Sequence, residues 1–287
     1  MQEGRASETA YRAARARAWH QVIDVPKVFD DPVAARLLLA EDARRLQDAR
    51  PPRGGALARG MRMALAVRSR IAEDALRDAV ARGVHQYVIL GAGFDTFALR
   101  NPYPPQALRV FEVDHPDTQA MKRLRIEQAG LALPPSCTMV PVDFATQSLQ
   151  ESLRSAGFAA DQPAFFALLG VSMYLDAAAL DGTLRFIAGC AKGSEVVFDY
   201  VVEPSQLRWL DRLALRFAAH RCARLGEPWK SFIDPDALPG RLAALGFAGG
   251  RTLGPEEIVT SLRIPTRVSR RVRPPRFSMG RIAIAQV

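Results

Sequence analysis

The stretch that decides the fold is Tyr87-Val-Ile-Leu-Gly91-Ala-Gly93-Phe-Asp95-Thr96. Apolar residues followed at once by small ones predict a buried strand that ends in a sharp turn, where the backbone can approach a ligand without meeting a Cβ. A turn built for a dinucleotide would carry a third Gly or Ala at position 96, so that the next helix packs closely and its N-terminus receives a diphosphate. Thr96 stands there instead, and Asp95 puts a negative charge where a phosphate would sit. An anionic diphosphate is therefore disfavoured. A glycine-rich turn with no ligand is the plain alternative.

Outward from this turn, short apolar runs alternate with helix-like segments, the pattern of βα units and a parallel sheet. Strands are expected at 86–91, 108–114, 137–143, 164–174 and 194–201, with helices at 116–129, 146–156 and 176–190 and Asp176 as an N-cap. Beyond 201 come an amphipathic stretch at 204–224, the turn-rich GEPWKSFIDPD and a helix near 235–245, together a helical insertion near 204–245. The final apolar run, 281–287, with FAGGRTLG before it, predicts an antiparallel edge hairpin. Before residue 85 the chain reads as helices broken at Pro26, Pro32 and Pro51-Pro52-Arg53-Gly54-Gly55. The expected architecture is α/β: a doubly wound, mainly parallel, seven-stranded Rossmann-like sheet over 85–287, with an N-terminal helical cap over 1–84.

Composition narrows the function classes. At 48% apolar residues the 287-residue chain can bury a large core. No run reaches the roughly 18 uncharged apolar residues needed to cross a bilayer, and the N-terminus lacks a signal-peptide core. A cytoplasmic protein is expected. Cys137, Cys190 and Cys222, like the four histidines, lack the paired spacing of a disulfide framework or zinc site, so no metal is expected. The net charge of +9 would suit nucleic acid, but Lys occurs only at 27, 122, 192 and 230. Arg and Ala enrichment follows from G/C-rich codons, so nucleic acid is not expected as a partner, and the lack of a bilayer-length apolar run leaves no membrane partner expected.

Four further residues complete a candidate site. Phe111-Glu112-Val113-Asp114 ends the second strand, and Asp114 stands where adenosine-binding sheets place the acid that accepts from ribose hydroxyls. It could instead cap the helix opened by His115-Pro116. Asp143-Phe144 ends the third strand: a carboxylate to accept from an exocyclic amine and a ring to line an adenine pocket, or else an N-cap. In a helix over 60–82, Met61, Ala64, Leu65, Ile71, Ala75, Leu76 and Ala79 form an apolar stripe that includes Arg68, whose inward charge requires an anion. That anion is a ligand carboxylate or an internal Asp. Arg70 falls with Glu73, Asp74 and Arg77 on the solvated face.

YVILGAGFDTFALR, then VFEVDHP, VPVDF and LLGVSMYL, resemble the leucine carboxyl methyltransferase-like family of class I S-adenosylmethionine methyltransferases, particularly its bacterial branch. The likeness extends to SETAYRAARARAW, FDDP at 29–32, FIDPDALPGRLAALGF and LGPEE. It implies that S-adenosyl-L-methionine, which carries no phosphate for Asp95 to repel, is the cofactor. By that resemblance Gly91, Gly93 and Asp95 form the turn at its amino-acid moiety, and Arg68 binds its carboxylate with help from Arg12. Asp114 would hold the ribose, and Asp143 with Phe144 the adenine. Leu169 replaces the Glu of the enzymes that methylate protein phosphatase, which argues against their protein substrate.

The resulting expectation is O-methylation of a small-molecule carboxylate or hydroxyl, the acceptor being an anion if the Arg-rich segment 263–276 attracts it. No catalytic base is assigned. A carboxylate needs none, and His20, Tyr174, Tyr200, Trp209 and His220 are as well explained by packing as by lining an acceptor pocket. An NAD-dependent oxidoreductase and a non-catalytic cofactor-binding or partner protein are the alternatives.

Overall fold

The computed structural model describes residues 7–48, 55–144, 146–262 and 279–287, and at 56 and 57 the backbone alone. Five parallel strands form its centre: β1 (Gln86–Leu90), β2 (Arg109–Asp114), β3 (Cys137–Pro141), β4 (Ala164–Leu168) and β5 (Glu195–Val201). Two more, β6 (Gly249–Leu253) and β7 (Gly280–Gln286), complete the order β3-β2-β1-β4-β5-β7-β6, with β7 antiparallel to both neighbours. The edge pairing foreseen for the C-terminal run is present, but not as a tight hairpin. Helix α10 (Pro255–Ser261) lies between the two strands in sequence.

Helices cover both faces, and the residue alternation of the strands decides which residue meets which layer. On one face Val88, Leu90, Phe111, Phe166, Leu168 and Phe198 join Leu153 of α6 (Leu149–Ser155), Leu180, Leu184 and Ile187 of α7 (Ala177–Ala188), and Leu242 of α9 (Leu238–Leu245). On the other, Tyr87, Ile89, Phe165, Val197 and Ile284 join Ile71 and Leu76 of α3 (Gly55–Ala81), Phe97 of α4 (Phe97–Arg100) and Ile258 of α10. Helix α1 (Glu8–Ile23) packs along α3. Trp19 of α1 forms a small cluster with Leu38 and with Leu46 of α2 (Ala40–Gln47).

Several boundaries differ from the sequence expectation. The apolar run 164–174 is a strand only to Leu168. The backbone then turns at Gly170, with φ +74°, and a short 3-10 helix follows at Ser172–Tyr174. The Gly170 amide donates to Asp199 at 2.5 Å, which pulls the chain out of the sheet direction. On α3 the buried stripe is Ala66, Val67, Ile71, Ala72, Leu76 and Ala79, whereas Met61 and Ala64 are exposed. Helix α6 starts later than expected and is capped by Ser148, whose hydroxyl accepts from the Glu151 amide, so Asp143 is not its N-cap. Asp176 caps α7 as expected.

Candidate active site

The strand order reverses between β1 and β4, and at such a switch point the loops leaving the two carboxyl ends separate and open a crevice. The turn after β1 and the turn after β4 meet there. Gly91 has φ +69°, and a Cβ built on it would collide with Val171 Cγ2. A Cβ on Gly93 would come within 3.0 Å of Ala10 Cβ on α1, so the N-terminal helix closes over the turn. These glycines thus admit protein backbone and side chains as well as any ligand.

The turn is anchored to β2. Gly91 and Ala92 amides donate to the Val113 carbonyl at 2.8 and 3.0 Å, and the Gly93 amide donates to Asp114 Oδ2 at 2.5 Å. Asp114 Oδ1 accepts from the His115 amide at 2.7 Å. The cap of helix α5 (Pro116–Gln128) is the His115 ring, which frees Asp114 from that duty. Burial pushes the Asp114 carboxyl above its usual range, opposed by the Gly93 and His115 amides. A carboxylate has about four acceptor positions, so two amides leave room for ribose hydroxyls.

Beneath the turn lies an ion lattice that the sequence reading did not assemble. Asp31, wholly buried, accepts from Thr96 Oγ1 at 2.7 Å and from the Ala34 amide at 3.0 Å, with Arg100 Nε at 3.4 Å and Arg17 Nε at 3.8 Å. Arg17 donates to the Phe94 carbonyl at 2.5 Å and to Asp95 Oδ2 at 3.2 Å, while Arg100 makes a two-pronged pair with Glu73. Burial raises the Asp95 pKa, but Arg17, Lys122, Arg100 and the Phe97 amide outweigh it and leave the carboxyl below its ordinary value. Position 96 therefore holds a hydroxyl that ties the turn to FDDP, and the Asp95 charge is answered by Arg17. Behind the site Glu112 and Lys122 form a second buried pair, at 2.5 Å.

Arg68 reaches the carboxyl ends of β4 and β5. Its guanidinium donates to Asp199 Oδ2 at 2.7 Å and lies against Gly170, where a Cβ would stand 2.8 Å from Nη2. The internal acid weighed as a partner for Arg68 is Asp199. The guanidinium fork has five donors, which leaves capacity for a second carboxylate. Arg70 pairs with Asp74 at 2.7 Å. Arg12 pairs with Glu8 at 3.0 Å, and the basic residue of α1 that touches the turn is Arg17. Asp143 is half-buried and accepts from Thr146 Oγ1 at 3.1 Å, and Phe144 packs on the core beside it. The acids of β2 and of the β3 loop thus stand on one side of the crevice and the cation on the other, which suits a ligand with hydroxyls and an amine at one end and a carboxylate at the other.

Fold and site together define a doubly wound α/β protein with a crevice at the β1–β4 switch point, lined by acids on one side and a cation on the other. Residues 10–188 match the family described as leucine carboxyl methyltransferase. Over 282 residues the chain is 31% identical to Bacillus subtilis "Putative S-adenosyl-L-methionine-dependent methyltransferase YktD", covering 90% of this chain and 91% of that protein. A protein of the same description from Parafrankia sp., Franean1_4929, is 37% identical over 275 residues, 91% of this chain and 84% of its own length. Among solved structures, a "putative methyltransferase" from Thermobifida fusca YX shares the fold, with a TM-score of 0.56, 16% identity and coverage of 99% and 96% of the two chains. The chain belongs to the leucine carboxyl methyltransferase family and is an S-adenosylmethionine-dependent methyltransferase.

Proposed function

We propose that the enzyme methylates an oxygen of a small-molecule acceptor, a carboxylate in preference to a hydroxyl. The cofactor supplies an electrophilic methyl group, and the chain's own residues hold both reactants in line and keep water away. The observation that carries the reading is the set of groups past the β4 carboxyl end: the Asp199 carboxylate is already held by Arg68 and the Gly170 amide, and beyond it stand a phenol and a thiol. Tyr174 and Cys222 face one another, Oη to Sγ 4.0 Å, and burial pushes the phenol up to about 12 and the thiol above its usual value. Both keep their protons at neutral pH, so neither can accept one from a hydroxyl. A carboxylate arrives already deprotonated and needs no base.

The same reading assigns Arg68 to the cofactor carboxylate, Asp114 to the ribose, and Asp143 with Phe144 to the adenine. Gly91, Gly93 and Asp95 shape the turn, and Arg12 is the peripheral member of the set. An anionic acceptor agrees with the Arg-rich segment 263–276, which lies outside the described residues. The test is a screen of carboxylic acids and phenols with labelled S-adenosylmethionine, followed by mild alkali. A carboxyl ester releases its label as methanol, whereas a label that survives alkali on every product refutes carboxyl methylation.

A further inference from the structure

Helix α8 (Trp209–Ala223) presents an apolar face that is left exposed among the described residues. Asp211 and Leu215 are buried on one side, while Trp209, Leu210, Leu213 and Phe217 are 69%, 52%, 60% and 55% exposed. At 3.6 residues per turn, Trp209, Leu213 and Phe217 lie one above another, Leu210 sits beside Leu213, and the row points away from the buried pair. Isolated exposed apolar residues are ordinary, but four large ones in a continuous row opposite the packed face are not.

Charge decides what the row faces. Arg208, Arg212, Arg216, Arg221 and Arg224 are all exposed, and none has a carboxylate in salt-bridge range among the described residues. The Arg221 guanidinium lies 5.9 Å from the Phe217 ring centre. The helix's own acid, Asp211, is on the buried side. A second copy of α8 would bring arginines against arginines, and the segment 263–276 carries six more arginines of the same sign. An acidic protein could answer the charge, but a convex row of side chains would need a matching groove in it. A lipid surface needs no such groove. Trp, Leu and Phe on one face with Arg along its flanks is the composition of a helix that lies in a membrane interface, its rings among the acyl chains and its cations among anionic headgroups.

We propose that α8 is a membrane-surface anchor that binds anionic phospholipid. No helix among the described residues is long and apolar enough to cross a membrane. The expectation of no membrane partner rested on the lack of a bilayer-length run and does not bear on a helix that lies flat. The carboxyl end of α8 reaches Tyr174 through Cys222, and Glu227 just beyond accepts from the Ser7 and Thr9 hydroxyls of the N-terminal segment. The anchor thus places the side of the molecule beside the β4 carboxyl end against the lipid.

The test uses the full-length enzyme and vesicles of phosphatidylcholine alone or in equal parts with phosphatidylglycerol. Sedimentation with the anionic vesicles should exceed that with neutral ones by at least about tenfold, and Trp209 emission should shift to the blue, a shift lost in Trp209→Phe. The pair Leu213→Gln with Phe217→Gln, and separately Arg212→Gln with Arg216→Gln, should abolish sedimentation while circular dichroism and S-adenosylhomocysteine affinity stay unchanged. Arg270→Ala with Arg271→Ala should leave the blue shift in place. Equal binding to both vesicles, or anionic binding that survives Leu213→Gln with Phe217→Gln, would overturn the proposal. So would a dimer that dissociates in that variant without vesicle binding, which would assign the row to a second copy.

Discussion

Replacing Gly91 by Ala tests the contact on which the crevice is built. Two costs add. An L-residue at φ +69° bears roughly 1–2 kcal/mol for the left-handed conformation. The new Cβ also collides with Val171 Cγ2, and forced overpacking of a methyl group costs typically about 1–3 kcal/mol. The sum, about 2–5 kcal/mol, is a large share of the stability of an ordinary domain. Gly83→Ala separates the two, because Gly83 also has positive φ, +95°, but has nothing within 4 Å of its added Cβ. It should lose the conformational part alone. Gly91→Ala with Val171→Ala should be more stable than the two single losses predict, by about 1–3 kcal/mol, since the collision is gone. Urea unfolding of the parent and the four variants, Val171→Ala included, gives each value from the shift in midpoint at constant slope. Equal losses at Gly91 and Gly83, with no coupling to Val171, would show that the β1 and β4 turns are not in contact and that the crevice is wider than described.

Arg68→Ala should weaken S-adenosylhomocysteine by about 2–3 kcal/mol, and Arg70→Ala, paired at the rim with Asp74, should change it by less than about 0.5 kcal/mol; calorimetric titration decides, and equal effects refute the assignment. Burial would raise the pKa of Asp24, but His20 and Arg62 bring it down to about 2 from 3.8. The folded state therefore favours the ionised form, and about 2 kcal/mol of stability is present above pH 4 and fades as pH falls towards 2. The gap in unfolding midpoint between the parent and Asp24→Asn should narrow over that window, and a gap independent of pH contradicts the pairing. Once an acceptor is found, Arg270→Ala with Arg271→Ala should raise its KM at low ionic strength and leave kcat near the parent value. An unchanged KM would remove the argument for electrostatic capture.

Some of this protein was legible residue by residue. Strand positions show in sequence because each central strand is buried on two faces, which leaves uninterrupted apolar runs such as Tyr87–Leu90 between turn residues. The Gly91–Gly93 turn and Asp114 are legible because a chain reversal and a strand-end acid are local events, a few residues long. The reading failed where a local pattern has two solutions. AFFALLGVSMY is apolar but for Ser172, and the strand ends at Leu168 where the turn at Gly170 is tied to Asp199, 29 residues away in sequence. The buried face of α3 was read from its own apolar residues, but α1 and the sheet determine which side is covered, and they bury Arg62 against Asp24 while leaving Met61 in solvent. The lattice under the turn joins Arg17 to Asp95 and Thr96 to Asp31, 78 and 65 residues apart. No periodicity marks such pairs, because a buried charge is fixed by whatever opposite charge the tertiary fold brings to it. The sequence by itself determined the sheet, its turn and the acids at its strand ends; the partners of Arg17, Arg68 and Asp95, and the outward face of α8, were decided only when distant elements packed.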